Sequence, residues 1–396
     1  MLKNKLLCKI AAVVTSMLLG ISVTVTAIMV ENKTAINNFF NTTEFEIITP
    51  EDDSTDKEYF KTDAKYTGVN SLRAAGKAAA QQVEAEGAVL LKNENLPGGG
   101  KALPLETSAS DKKKISLFSV SSVDPAYGGR GSAQSGSASD QVTPQQGFEN
   151  ANYQVNTDLL DFYKNNRSKY ARDGRGENAK IKDAPWEDII AAVPESKIAE
   201  YGSAAIFILT RVGGEGADAA YTGTDGEGGN YLRLSQNEKS VLQGLAQMKQ
   251  ANKIERIILL LNIANQVECK SFLSDSLGVD AVLWIGSVGI TGFNAVADII
   301  AGNVNPSGHL ADTFWYEHDE NPAYYNFGDN TYENYSSFAY LPNLSGEPHV
   351  KYGKYVVYQE GLYVGYRYTE TRYYDAVKGG NDASFKYDEV VSYPFG

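Results

Sequence analysis

The residues best suited to chemistry lie in a glycine-rich acidic segment, residues 211–234, which reads RVGGEGADAAYTGTDGEGGNYLRL. The segment contains four carboxylates: Glu215, Asp218, Asp225 and Glu227. Its many glycines are typical of a backbone that turns sharply or approaches a ligand closely. One carboxylate, best Glu215 between two glycines, is a candidate general acid/base.

Three other interpretations of this segment stay open on spacing alone. A phosphate-binding loop normally has a lysine, and the segment has none. A calcium loop could use Asp218, Asp225 and Glu227, but their spacing differs from the alternating ligands of an EF-hand. The segment could also be a flexible, solvated acidic loop without a site.

The flanking elements place the acidic segment at the end of a strand. An apolar run over residues 204–210 predicts a strand before it, and Ser235 with Glu238 forms a capping-box pattern that predicts a helix start after it. In open α/β sheets, ligands usually bind at loops that leave the carboxyl ends of strands. We therefore expect the acidic segment at the working edge of a sheet.

A second loop follows a predicted strand over residues 114–120 and reads DPAYGGRGSAQSGSASD. Tyr127 and Arg130 are its bulky polar residues, so they are candidates for ligand contacts. A plain connector fits the composition equally well.

The remaining pattern predicts an α/β fold. Apolar runs without alternation at 256–262 and 280–285 are each followed by a helical pattern, as is typical of parallel strands covered on both faces. Helices are expected at 70–86, 157–170, 185–193, 271–277 and 292–301. The predicted class is a three-layer α/β/α sandwich with a mostly parallel sheet.

Composition excludes several classes of function. The chain has 396 residues and a formal charge of −13, which argues against binding nucleic acid. Its cysteines are Cys8 and Cys269 only, so no internal disulfide framework is expected. The three histidines are scattered, and neither a metal site nor a cofactor is expected.

The first 30 residues have the pattern of an export signal. Lysines precede an uncharged run over residues 10–30, which is long enough to span a bilayer. An uncleaved signal anchor and a cleaved signal peptide both remain open, and either places the rest of the chain outside the cytoplasm. Residues 31–66 read as a polar linker.

Tyrosines are concentrated at the C-terminal end, with 16 between Tyr316 and Gly396. They could form sugar-stacking platforms or simply pack. We expect a sandwich domain over residues 67–320 and a Tyr-rich extension over residues 321–396 that packs on it.

Several segments together resemble the α/β sandwich domain of glycoside hydrolase family 3, the β-glucosidase-like group. They occur in family order from about residue 70 to the end: EAEGAVLLKNENLPGGGKALPL, ISLFSVSSVDPAYGGRGS, RVGGEGAD with NYLRLSQNE, LWIGSVGITGFNAVADIIAGNVNPSGHLADTF, YQEGLYVGYRYTETRYYD and SYPFG.

The resemblance implies retaining hydrolysis of β-linked sugars by two carboxyl groups. The family's acid/base lies in a Gly-Glu-Gly segment, which here is residues 214–216, so the implied catalytic residue is Glu215. Asp218, Tyr127 and Arg130 are the expected substrate contacts. Burial and Asp218 would raise the pKa of Glu215, and Arg211 would lower it.

The family's nucleophile is an aspartate on a separate TIM barrel of about 250 residues, for which this chain has no room. We therefore expect an N-terminal fragment of an inverted-order enzyme, inactive alone, with a fibronectin-like module and the barrel downstream. The alternative is a non-catalytic, cell-surface carbohydrate-binding module.

Overall fold

The structure is a computed structural model that describes residues 2–33, 36–37, 66, 68–129, 138–173, 179–213, 219–326, 330–334, 340–342, 348–350, 355–380, 382 and 384–396. The chain divides into two compact units, Met1–Thr67 and Gly68–Gly396. The domain boundaries expected from sequence stay predictions.

The first unit contains one long exposed helix, α1 (Leu2–Glu31). Its stretch Lys5–Glu31 has 27 residues and a mean hydropathy of 2.2. At about 1.5 Å per residue it exceeds the roughly 30 Å core of a bilayer. Among the described residues it is the one helix that meets the length and polarity requirements of a membrane span. It could serve as a signal or an anchor, which is weak support for an extracytoplasmic location.

The second unit is built on a sheet of six strands: β1 (Val89–Asn93), β2 (Lys114–Phe118), β3 (Gln154–Val155), β4 (Ala204–Thr210), β5 (Ile257–Asn262) and β6 (Ala281–Trp284). Their order is β1-β6-β5-β4-β2-β3. All pairs are parallel except β1 with β6. The carboxyl ends of β2, β4, β5 and β6 therefore share one edge.

Helices cover both faces of this sheet. The helices are α2 (Val69–Gly87), α3 (Pro144–Asn150), α4 (Thr157–Asn165), α5 (Arg167–Tyr170), α6 (Trp186–Ala192), α7 (Glu195–Ala199), α8 (Gln236–Gln250) and α9 (Gly292–Ala301). Alternate residues of β4 enter different cores: Ile206 packs in the cluster of α3 and α9, and Phe207 in that of α4, α6 and α8. Burial on both sides explains why the strands lack polar alternation.

The predicted fold class is confirmed, and two local predictions need correction. The expected helix over 157–170 is two helices, because Asn166 has a non-helical backbone (φ −106°, ψ 13°) where they meet, and its side chain donates to the Phe162 carbonyl at 2.9 Å. The expected helix over 271–277 is a pair of 3₁₀ turns, Cys269–Ser271 and Asp275–Leu277.

The last part of the chain returns to the sandwich. Strand β7 (Phe314–Trp315) pairs antiparallel with β10 (Val391–Tyr393), which follows α11 (Tyr387–Val390). Trp315 also donates its indole N–H to the Thr369 hydroxyl in α10 (Tyr366–Tyr374) at 3.1 Å. Strand β8 (Tyr340–Pro342) pairs antiparallel with β9 (Pro348–Val350).

Candidate functional site

One asparagine connects the loops at the carboxyl edge of the sheet. Asn262, the last residue of β5, is fully buried. Its amide donates to the carbonyls of Ala126 and Gly286 at 2.9 and 2.7 Å. Its oxygen accepts from the Ala126 N–H at 2.6 Å and the Thr210 hydroxyl at 3.1 Å. The loops after β2, β4 and β6 therefore start from one fixed point.

The acidic segment leaves this edge directly after β4, as predicted. Glu215 and Asp218 lie between Gly213 and Ala219, outside the described residues, and Arg130 likewise lies outside them. Their catalytic and substrate-binding roles stay predictions. What the structure describes is how the acidic segment is held on either side of residues 214–218.

Arg211 holds the first limb of the segment. Its side chain is 1% exposed and forms a bidentate ion pair with Glu238, both contacts at 2.8 Å. Burial lowers the pKa of Arg211, but pairing with Glu238 more than compensates, so the guanidinium stays charged. The sequence predicted that Arg211 would favour an ionised Glu215. In the structure the positive charge of Arg211 is already neutralised by Glu238.

The returning limb is held by a second buried carboxylate, Glu268. Glu268 accepts from the Asn230 amide and from the His318 backbone N–H, both at 3.1 Å, and forms an ion pair with Arg233. Burial would raise the pKa of Glu268, but contacts from His318 and Arg233 lower it to about 2. Glu268 is therefore an ionised anchor.

Both carboxylates of the segment that lie within the described residues, Asp225 and Glu227, have structural partners. Asp225 accepts from the backbone N–H groups of Ile181 and Lys182 at 2.7 and 3.0 Å, which joins the segment to a neighbouring loop. Glu227 pairs with Lys239 of α8 at 2.9 Å. Across the described ranges, no group of three or more histidine, cysteine, aspartate or glutamate side chains is placed to hold a metal ion.

Tyr127 lies in the loop after β2 and is packed rather than free. Its hydroxyl donates to the Val142 carbonyl at 3.2 Å, and its ring meets Phe293 edge-on at 5.9 Å between centroids. Burial, with a smaller effect of Asp124, raises its pKa to about 12. Both contacts account for a tyrosine at this position without a substrate, and its substrate role stays a prediction.

Sequence reasoning missed a buried acid beneath the same edge. Asp183 is 2% exposed and accepts from the backbone N–H groups of Val120 and Ala184 at 3.1 and 2.8 Å. Burial and the nearby Glu238 raise its pKa to about 7. The two backbone N–H bonds offset part of that rise, and Arg172, which donates to the Ser121 hydroxyl at 2.8 Å, offsets a smaller part. Nothing in the local pattern around Asp183 signals this burial.

A cavity of about 360 Å³ opens beside the returning limb. Three carboxylates and three cations line it: Glu227, Glu268, Glu317, Arg233, Lys239 and Lys270. Several are already paired, including Lys270 with Glu317 at 3.2 Å. Its lining is polar with balanced charge, unlike the strongly acidic chain as a whole.

Comparison with known proteins agrees with this architecture. A β-glucosidase from Ruminococcus albus is 27% identical over 303 residues, which cover 76% of this chain and 27% of that protein. Beta-glucosidase A from Butyrivibrio fibrisolvens is 27% identical over 326 residues, covering 78% of this chain and 33% of that protein. This chain thus spans about a third or less of the length of these curated relatives.

A solved structure, beta-glucosidase 3B from Thermotoga neapolitana in complex with glycerol, superposes with a TM-score of 0.56 at 26% identity, covering 82% of this chain and 37% of that one. Residues 88–366 match the model of the glycosyl hydrolase family 3 C-terminal domain. Because that match covers most of the sequence, the chain belongs to glycosyl hydrolase family 3.

Proposed function

We propose that this chain supplies the general acid/base of a retaining β-glycosidase, most simply a β-glucosidase, and that Glu215 is that residue. The observation that carries the proposal is the anchoring of both limbs of the acidic segment by the buried groups Arg211 and Glu268 at the carboxyl edge of the sheet. The two curated relatives described above are themselves β-glucosidases.

In the proposed mechanism, protonated Glu215 donates its proton to the glycosidic oxygen while an aspartate from a TIM barrel elsewhere in the protein attacks the anomeric carbon. Glu215 then removes a proton from the water that releases the sugar. A carboxyl group in this role needs a raised pKa. The pairing of Arg211 with Glu238 neutralises a positive charge that would otherwise oppose such a rise.

The proposal is tested in the full-length protein with Glu215→Ala. Phenyl β-glucoside has a poor leaving group that needs protonation, so its hydrolysis should fall by about 10²–10⁴-fold. The dinitrophenolate group of dinitrophenyl β-glucoside leaves without being protonated, so cleavage of its glycosidic bond should be retained. Added azide should replace the water that Glu215 no longer activates and so restore turnover. Glu86→Ala, an exposed carboxylate on α2, is the matched control.

With azide present, an equal loss on both substrates, or no loss, would remove Glu215 from the mechanism. The separated 396-residue chain should be inactive, because the nucleophile is assigned to the barrel. Appreciable hydrolysis of an aryl β-glucoside by this chain alone would overturn that division of roles.

A second candidate function, carbohydrate binding without catalysis, is favoured by exposed aromatic residues near the C-terminal end. Tyr325 and Tyr358 are 74% and 80% exposed. Exposed tyrosines present apolar faces on which sugars can stack. Saturable binding of a β-linked oligosaccharide by the 396-residue chain, together with an unchanged Glu215→Ala variant, would favour this function over the enzyme.

A further inference from the structure

Arg211 uses all five of its N–H donors within the protein. Besides the two contacts to Glu238, it donates to the carbonyls of Tyr231, Thr210 and Arg233 at 2.5, 3.0 and 2.8 Å. These partners belong to the end of β4, to the returning limb of the acidic segment and to the start of α8. The side chain of Arg211 therefore holds the two ends of the acidic segment together.

Tyr231 bonds the backbone on both sides of residue 215. Its hydroxyl accepts from the Val212 N–H at 3.3 Å, and its own N–H donates to the Ala220 carbonyl at 2.9 Å. Val212 precedes Glu215 by three residues and Ala220 follows it by five. The two stems that carry Glu215 are thus tied to one residue, and Arg211 holds that residue.

Glu238 fixes Arg211 in turn and has a second task. One of its oxygens accepts from the Ser235 N–H at 2.8 Å, which completes the capping box at the start of α8. Because the guanidinium fork matches a carboxylate in two parallel bonds, the pair sets an orientation as well as a distance. A lysine at position 211 would supply the charge without the fork.

We propose that the buried Arg211–Glu238 pair is a positioning device for the general acid/base, acting through Tyr231 on both stems of the acidic segment. The inference rests on the proposed role of Glu215. The pair acts by geometry, because its charges cancel and its side chains are buried away from solvent. Misplacing a catalytic group by about 1 Å is enough to lower a rate about 10²-fold.

The test uses the double variant Arg211→Met/Glu238→Gln in the full-length protein. It removes both charges together, so no unpaired buried charge remains, and glutamine can still complete the capping box. With azide present to accept the sugar in place of activated water, we expect turnover of phenyl β-glucoside to fall about 10²-fold with KM within about twofold, and turnover of dinitrophenyl β-glucoside to change by less than about threefold. Arg211→Lys should also lower the turnover of phenyl β-glucoside more than that of dinitrophenyl β-glucoside.

Arg256→Met is the matched control. Arg256 is another largely buried arginine; it immediately precedes β5, at the edge of the sheet opposite the acidic segment, and donates to the Ala102 carbonyl at 2.8 Å. Loss of stability alone lowers the active fraction equally for both substrates, so Arg256→Met should show no dependence on the leaving group. Tyr231→Phe, which removes only the hydroxyl contact to Val212, should show a weaker form of the double variant's effect.

An equal loss on both substrates in the double variant, or full activity in it, would overturn the inference. If the double variant does not fold, the inference is tested with Tyr231→Phe. An activity loss in Tyr231→Phe that is equal for both substrates would overturn the inference as well. Failure of the proposed function is recognised separately, because Glu215→Ala would then lack the leaving-group dependence whatever happens at Arg211.

Discussion

The buried carboxyl group of Glu84 predicts that the stability of the folded protein depends on pH. Glu84 lies on α2, is 8% exposed, and its Oε1 has no hydrogen-bond partner within the part of the chain that the structure describes. Its side chain abuts Gly292 at the start of α9. Desolvation raises its pKa from 4.5 to about 8, so the folded protein holds Glu84 protonated at neutral pH.

The size of the effect follows from linkage. Because the folded pKa exceeds the unfolded value of 4.5, the folded state binds the extra proton, and stability falls as pH rises from 4.5 towards about 8. Each pH unit in that window removes about 1.4 kcal/mol. At pH 7 the penalty is therefore about 3 kcal/mol. Glutamine mimics the neutral acid and carries no such penalty.

Thermal unfolding of Glu84→Gln should show this directly. We expect the variant to be more stable than the wild type by about 3 kcal/mol at pH 7 and about equal to it at pH 4.5. Glu86→Gln, an exposed position on the same helix, should stay within about 0.5 kcal/mol at both pH values. A loss of stability in Glu84→Gln at pH 7 would refute the reasoning, since it would mean that α9's first N–H groups hold an ionised carboxylate.

Two further predictions concern the anchors and the core. Glu268→Gln should lower stability at neutral pH by up to about 3 kcal/mol. Because the folded pKa of Glu268, about 2, lies below 4.5, the wild-type advantage should vanish as pH falls from 4.5 to 2 in chemical denaturation; an advantage constant with pH would contradict its role as an ionised anchor. Gly244→Ala should destabilise by about 1–3 kcal/mol, because a Cβ there would lie 2.3 Å from Trp186 Cδ2. Gly76→Ala, with no atom within 4 Å of its Cβ position, should instead stabilise by up to about 1 kcal/mol in the same thermal scans, and equal effects at the two glycines would contradict this packing argument.

The local sequence pattern was sufficient to predict most strands of the sheet. The apolar runs that become β4 and β5 lack alternation because both faces of each strand are buried, and that signal needs no knowledge of distant residues. The capping box at Ser235 and Glu238 formed as predicted, since its bonds join residues three apart. The helix predicted over 157–170 is interrupted at Asn166, whose backbone is not helical and whose side chain bonds the Phe162 carbonyl.

The buried charges could not be read from local pattern. Glu238 looked like a helix cap, and only the fold brings Arg211, 27 residues earlier, within 2.8 Å of it. Glu84 lies in an alanine-rich helix where a glutamate normally faces water, and its burial depends on α9 packing from more than 200 residues away. Contacts between residues so far apart in sequence depend on which helix covers which strand, and the composition of the chain does not specify that arrangement.

The four carboxylates of the acidic segment show what the structure adds to the site hypothesis. The sequence favoured Glu215 as the acid and left Asp218, Asp225 and Glu227 as alternative calcium ligands. Asp225 is engaged by two backbone N–H groups and Glu227 by Lys239, so each serves to hold the segment. The proposal therefore assigns proton transfer to the stretch that carries Glu215 and Asp218, between the two stems that Tyr231 bonds. The leaving-group test on Glu215 is informative for this reason, because a negative result leaves Asp218 as the remaining acid of the segment.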